Sequence, residues 1–107
     1  MTTGVERLGP RLADAGVDVL YFIDPVQDKL PIDSARELLA DRMTLVGGTN
    51  ALSLAAGQES RLEGEVRLAL EELGPTNRFI LHPVDAVFPD TPWEGVERLI
   101  ASWKQYR

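Results

Sequence analysis

The sequence contains no cysteine, which excludes a disulfide framework, a thiolate nucleophile and any metal site built on thiolates. No stretch approaches the roughly 18 apolar residues of a membrane span, and the first residues lack the basic-then-apolar pattern of a signal peptide. Basic residues are also scarce, with 11 Lys and Arg against 17 Asp and Glu and a net charge of −6. Because nucleic-acid-binding proteins present a basic face, we expect neither a nucleic-acid nor a membrane partner. A cytoplasmic location is predicted.

The composition that remains is that of one small globular domain, with 107 residues, 44% of them hydrophobic and 26% charged. Apolar runs rich in β-branched and aromatic residues predict three strands, and they alternate with stretches of helical periodicity. The predicted strands cover 17–23, 43–46 and 79–81, and the main helices cover 5–15, 34–39, 60–73 and 91–103. Strands that alternate with helices imply an α/β fold with a parallel sheet and right-handed crossovers.

Several local signals predict where these elements begin and end. Ser34 and Ser60 are each followed three residues later by Glu, which is the spacing of a capping box, and Thr91 is predicted to cap the last helix. The pair Gly47-Gly48 is predicted to close the second strand. A short helix is expected over 50–56.

Four blocks of the sequence resemble a known family. They are Gly-Val-Asp-Val-Leu at 16–20, Leu-Val-Gly-Gly-Thr-Asn at 45–50, Phe-Ile-Leu-His-Pro at 79–83 and Phe-Pro-Asp-Thr-Pro-Trp-Glu at 88–94. In order and spacing these blocks resemble the C-terminal part of the uroporphyrinogen decarboxylase superfamily. That superfamily also contains zinc-dependent methyltransferases that act with cobamide or coenzyme M.

The resemblance implies a partial (β/α)₈ TIM barrel, with residues 1–107 as a single domain that supplies about strands six to eight. A whole barrel needs about 250 residues, and a three-stranded parallel sheet leaves two edges free to pair with another chain. We therefore expect the barrel to be completed either by self-association into a homo-oligomer or by a missing N-terminal half.

The resemblance also implies an activity. It is the decarboxylation of a tetrapyrrole or related polycarboxylate, without a metal or organic cofactor, through a protonated pyrrole ring that is stabilised electrostatically. The family's substrate-binding aspartate and arginines come from earlier parts of the barrel, so whether these 107 residues are an enzyme by themselves stays open. The alternative is a non-catalytic, self-associating partial barrel or a small-molecule binding module.

Chemistry in such barrels lies where the strands end at their carboxyl side. The candidates at these ends are His82 and Asp85 as catalytic residues, and Asp24, Gly47, Gly48 and Asn50 as substrate-binding residues.

Each candidate also has a structural alternative. Asp24 precedes a proline and is suited to closing a turn, and the glycines can serve a tight turn instead of exposing amides to a ligand. His82, the only histidine, can act as an acid or base near neutral pH or serve a structural role. Asp85 aligns with a histidine of the decarboxylases and with a zinc-binding cysteine of the methyltransferases. Because the thiolate is missing here, that zinc site is excluded and no metal is expected.

Overall fold

A computed structural model describes residues 3–107, which form a three-stranded parallel sheet and four α-helices. The strands are β1 (Val19–Ile23), β2 (Thr44–Asn50) and β3 (Phe79–Val84), and they lie side by side in chain order. The α-helices are α1 (Val5–Asp14), α2 (Ile32–Leu39), α3 (Glu59–Leu73) and α4 (Trp93–Tyr106), with short 3₁₀ helices at Ala51–Leu54 and Gly74–Thr76. The predicted α/β class and the parallel βα units are confirmed, and they are compatible with part of a TIM barrel.

The helices all pack against one face of the sheet, because alternate strand residues on that face are apolar. Leu20 and Leu45 are buried in a cluster with residues of α1 and α2. Leu81 of β3 packs against a second cluster, which α3 and α4 form together with the first 3₁₀ helix. These two clusters contain most of the buried apolar residues, and every α-helix contributes to at least one of them.

No helix formed by residues 3–107 covers the opposite face of the sheet, which we call the open face. Val19, Tyr21, Ile80 and His82 lie on it. Val19, Tyr21 and Ile80 are 51%, 42% and 55% exposed, although all three are large apolar or aromatic residues. In a closed barrel this face lines the interior, since the helices surround the outside.

Three predicted helix starts are wrong. Helices α2 and α3 begin at Ile32 and Glu59, so the serines predicted as caps lie inside the first turn of each helix. The fixed φ of Pro31, at −60°, leads directly into α2. Helix α4 follows Pro92, and the hydroxyl of Thr91 instead accepts a hydrogen bond from the amide of Phe88 at 3.1 Å.

The prediction that Gly47 and Gly48 close the second strand is also wrong, because β2 continues through them to Asn50. Both glycines have positive φ, at 144° and 93°. A Cβ atom on Gly47 would lie 2.3 Å from the carbonyl oxygen of Ile23, and one on Gly48 would lie 2.7 Å from the Cβ of Ala69. Glycine is therefore needed inside this strand for close packing against β1 and α3.

The remaining differences concern the ends of two elements. Strand β3 extends three residues beyond its predicted end, to Val84. The short helix expected over 50–56 is the 3₁₀ helix Ala51–Leu54, and Asn50 caps it by accepting a hydrogen bond from the Leu52 amide at 2.8 Å. Within residues 3–107, no helix has the length and apolar character needed to cross a membrane.

Candidate functional site

Two of the predicted site residues meet where β1 and β2 end. The side-chain amide of Asn50 donates to both carboxylate oxygens of Asp24, at 3.1 and 3.0 Å. Both residues are buried, with 2% of Asp24 and none of Asn50 exposed. Parallel strands end at the same edge of a sheet, which explains why residues 26 positions apart in the chain come together here.

The carboxylate of Asp24 also closes the turn that follows β1. One of its oxygens accepts hydrogen bonds from the backbone amides of Val26 and Gln27, at 2.8 and 3.1 Å. Asp24 therefore has the turn-closing role that the sequence analysis gave as the alternative to substrate binding. The buried charge is thus surrounded by neutral N–H donors, which compensate for its removal from water.

Asp85 lies immediately after β3 and is exposed, with a positive φ of 76°. Its carboxylate accepts a hydrogen bond from the side-chain amide of Gln27 at 3.0 Å, so it joins the loop after β3 to the loop after β1. Beside it is a cleft of about 220 Å³, which is lined in part by Leu52 and Phe88. Asp85 is therefore accessible to a ligand at this edge, in contrast to Asp24.

His82 lies in β3 rather than after it, and its side chain is on the open face. The hydroxyl of Tyr21 is 2.7 Å from its Nε2 atom and 3.1 Å from its Nδ1 atom. The backbone carbonyl of His82 accepts a hydrogen bond from the hydroxyl of Thr49 at 3.2 Å. The backbone of His82 is thus held by the neighbouring strand β2, and its ring contacts Tyr21 of β1.

Gly47 and Gly48 are buried in β2, between the strands that carry Tyr21 and His82. Gly47 is paired with Ile23 on one side and Leu81 on the other, and Gly48 is paired with His82. They lie two to three residues before the carboxyl end of the strand, beneath the loops that carry Asp24 and Asp85.

Glu65 of α3 supports the site from the helical layer. Its carboxylate accepts hydrogen bonds from the backbone amide of Asn50 at 3.3 Å, from the hydroxyl of Ser53 at 2.8 Å and from the guanidinium of Arg61 at 3.1 Å. These contacts fix the end of β2 and the start of the 3₁₀ helix. Asn50 is thus held through both its side chain and its backbone.

Sequence reasoning missed Tyr21 and Glu65. The position of Tyr21 could have indicated it, because consecutive strand residues lie on opposite faces of a sheet and Leu20 next to it is apolar and buried. Glu65 gave no signal, since a glutamate on an amphipathic helix ordinarily faces solvent.

The arrangement combines an imidazole on the open face with an exposed carboxylate at the carboxyl edge. The imidazole of His82 carries two nitrogens that can donate or accept a hydrogen bond, and the carboxylate of Asp85 can accept hydrogen bonds from a ligand. Within the described part of the chain, no three His, Asp or Glu side chains are grouped in a way that could hold a metal ion.

The sequence matches the model of a known protein family. The family model described as Uroporphyrinogen decarboxylase (URO-D) matches residues 2–106, which is almost the entire chain. No curated protein matches the chain significantly.

Proposed function

The chain belongs to the uroporphyrinogen decarboxylase family, and from this we propose that it forms three of the eight strands of a barrel that decarboxylates a tetrapyrrole or a related polycarboxylate. The observation that carries the proposal is the family match over residues 2–106. The one-sided packing of the helices is in line with it, because a (β/α)₈ barrel places its helices outside and its catalytic groups at the carboxyl ends of the strands.

We propose that residues 1–107 act as a single partial-barrel domain and that a separate stretch of polypeptide supplies the other strands. The sheet has three strands, and the barrel needs eight. Two copies of the sheet would supply six strands and three copies nine, so whole copies cannot close an eight-stranded barrel. A partner with five strands, in the same or another chain, is therefore favoured over a homo-oligomer.

Within that barrel, His82 and Asp85 are the groups we propose to act on the substrate. Decarboxylation replaces a carboxylate by a proton and releases CO₂, so the site needs a proton donor and a group that stabilises a cationic ring. His82 is suited to the first task and the carboxylate of Asp85 to the second. Neither needs a cofactor.

Asp24, Asn50, Gly47 and Gly48 have supporting roles in this proposal. Asp24 and Asn50 are buried and hydrogen-bonded to each other, which fixes the loops that border the substrate. The two glycines allow β2, which is paired with β3 at His82, to pack closely against β1 and α3. The substrate-binding groups of the family that precede this region would come from the five-stranded partner.

A non-catalytic role is the second candidate, and an apolar groove favours it. The groove, of about 440 Å³, runs along the free edge of β3 and is lined there by residues that include Phe79, Leu99 and Trp103. A self-associating protein would bury this groove and the edge of β3 against another copy.

The test is to combine the protein with the polypeptide that supplies the other five strands, incubate the complete barrel with a porphyrinogen polycarboxylate and measure CO₂ release, with substrate binding followed separately. We expect His82→Gln combined with Asp85→Asn to lower the rate by at least about 100-fold. The matched control is Glu97→Gln on the exposed surface of α4, which should leave the rate unchanged. Activity that survives the double substitution would contradict the site, and binding without CO₂ release would favour the non-catalytic role.

A further inference from the structure

The side chains of Tyr21 and His82 meet although their strands are not neighbours. Tyr21 belongs to β1 and His82 to β3, with β2 between them. Adjacent strands are about 4.8 Å apart, so these two backbones are separated by roughly twice that distance. Nevertheless, the Tyr21 hydroxyl is 2.7 Å from the Nε2 atom of His82, and their ring centroids are 4.9 Å apart.

The backbone of β1 is irregular beside this contact. In β1, the pairing with β2 shifts between Tyr21 and Ile23, which leaves Phe22 as an extra residue in a bulge. Bulges re-aim side chains and are common next to active sites.

The bulge also holds the ring of Tyr21. Phe22 has a positive φ of 83°, which is an unfavourable conformation for an aromatic residue. Its ring packs edge-on against that of Tyr21, with the centroids 4.6 Å apart and the planes at 79°. The ring of Tyr21 thus lies between those of Phe22 and His82.

We propose that Tyr21 is a positioning residue for His82, whose hydroxyl holds the imidazole in place on the open face. The catalytic role of His82 rests on the proposed function, whereas the contact between the two side chains does not. A displacement of about 1 Å in a reacting group can lower a rate by about 100-fold. Holding the imidazole in place is therefore a large enough effect to measure.

The first test uses the fact that the chain has one histidine and two tyrosines. The Hε1–Cε1 signal of His82 is thus the only one of its kind in a ¹H–¹³C NMR spectrum. We expect Tyr21→Phe, which keeps the ring and removes only the hydroxyl, to move this signal by more than its linewidth. The matched control is Tyr106→Phe, because Tyr106 bonds to Glu63 instead of His82. An unchanged signal in Tyr21→Phe would overturn the proposal.

The second test separates this inference from the proposed function. In the decarboxylation assay, we expect Tyr21→Phe to lower kcat by about 10- to 100-fold with little change in KM, because the imidazole is displaced but the substrate contacts remain. If His82→Gln abolishes activity while Tyr21→Phe leaves kcat unchanged, the positioning role is wrong and the proposed function stands. If His82→Gln is fully active, the proposed catalytic site is wrong, and the positioning of a catalytic group falls with it.

Discussion

The two faces of the sheet differ in how deeply their apolar side chains are buried. On the helix-covered face, Leu45 and Leu20 are almost fully buried. On the open face, Val19 and Tyr21 of β1 and Ile80 of β3 are about half exposed. The apolar character of a strand therefore does not reveal which of its faces stabilises this chain. In these strands the covered face contributes to stability, while the open face carries the candidate catalytic histidine.

The largest effect expected from this comparison is that of Leu45→Ala. Leu45 has no exposed surface, so its truncation should lower the free energy of unfolding by about 2–5 kcal/mol. The matched control on the other face of the sheet is Ile80→Ala, which should change it by less than about 0.5 kcal/mol, since surface substitutions usually have small effects. Both are measured by denaturant unfolding. An equal loss of unfolding free energy in Leu45→Ala and Ile80→Ala would mean that the open face is covered in solution.

A second, smaller effect tests how closely α3 approaches the sheet. Gly48→Ala should lower the free energy of unfolding by roughly 1–3 kcal/mol, because the site has a positive φ and no space for a methyl group. Its control is Gly64→Ala in α3, the helix that packs against Gly48. A Cβ atom added at Gly64 would meet no atom within 4 Å. That substitution should stabilise the protein by about 0.5–1 kcal/mol. Losses of the same size at both glycines would contradict the packing described for Gly48.

The smallest expected effect is on the pKa of Tyr106, on the solvent-exposed side of the helices. Tyr106 of α4 donates a hydrogen bond to Glu63 of α3, and this bond, which needs the protonated phenol, raises the pKa of Tyr106 above its usual value of 10.0. A raised pKa means that the contribution to stability is complete below the unfolded pKa and is lost as the pH rises through the folded one. In Tyr21→Phe, Tyr106 is the only tyrosine left, so the absorbance of phenolate follows it alone.

We expect that titration to occur at a higher pH in the folded protein than in the protein unfolded by denaturant. The Glu63→Gln variant is the control, and it should move the folded titration back toward the unfolded one. A titration at the same pH in the folded and unfolded protein would show that the helical layer gains nothing from this contact.

The sequence predicted the order and type of the main elements because their periodicities are local. It failed at Gly47 and Gly48, since their function in packing against Ile23 and Ala69 depends on segments distant in the chain. From positions after or near strand ends it proposed Asp24, Asn50, His82 and Asp85 as site residues, and their roles stay predictions. It could not identify Tyr21, whose contact with His82 spans 61 residues and lies next to a bulge in β1.

The order of the strands has a consequence for how the chain folds. Because β1, β2 and β3 lie side by side in the order in which they occur along the chain, each new strand pairs with the one synthesised just before it. No strand must be inserted between two that are already paired, which keeps the loops that close during folding short. The sheet can therefore grow in one direction during translation, with β3 as the last edge to form.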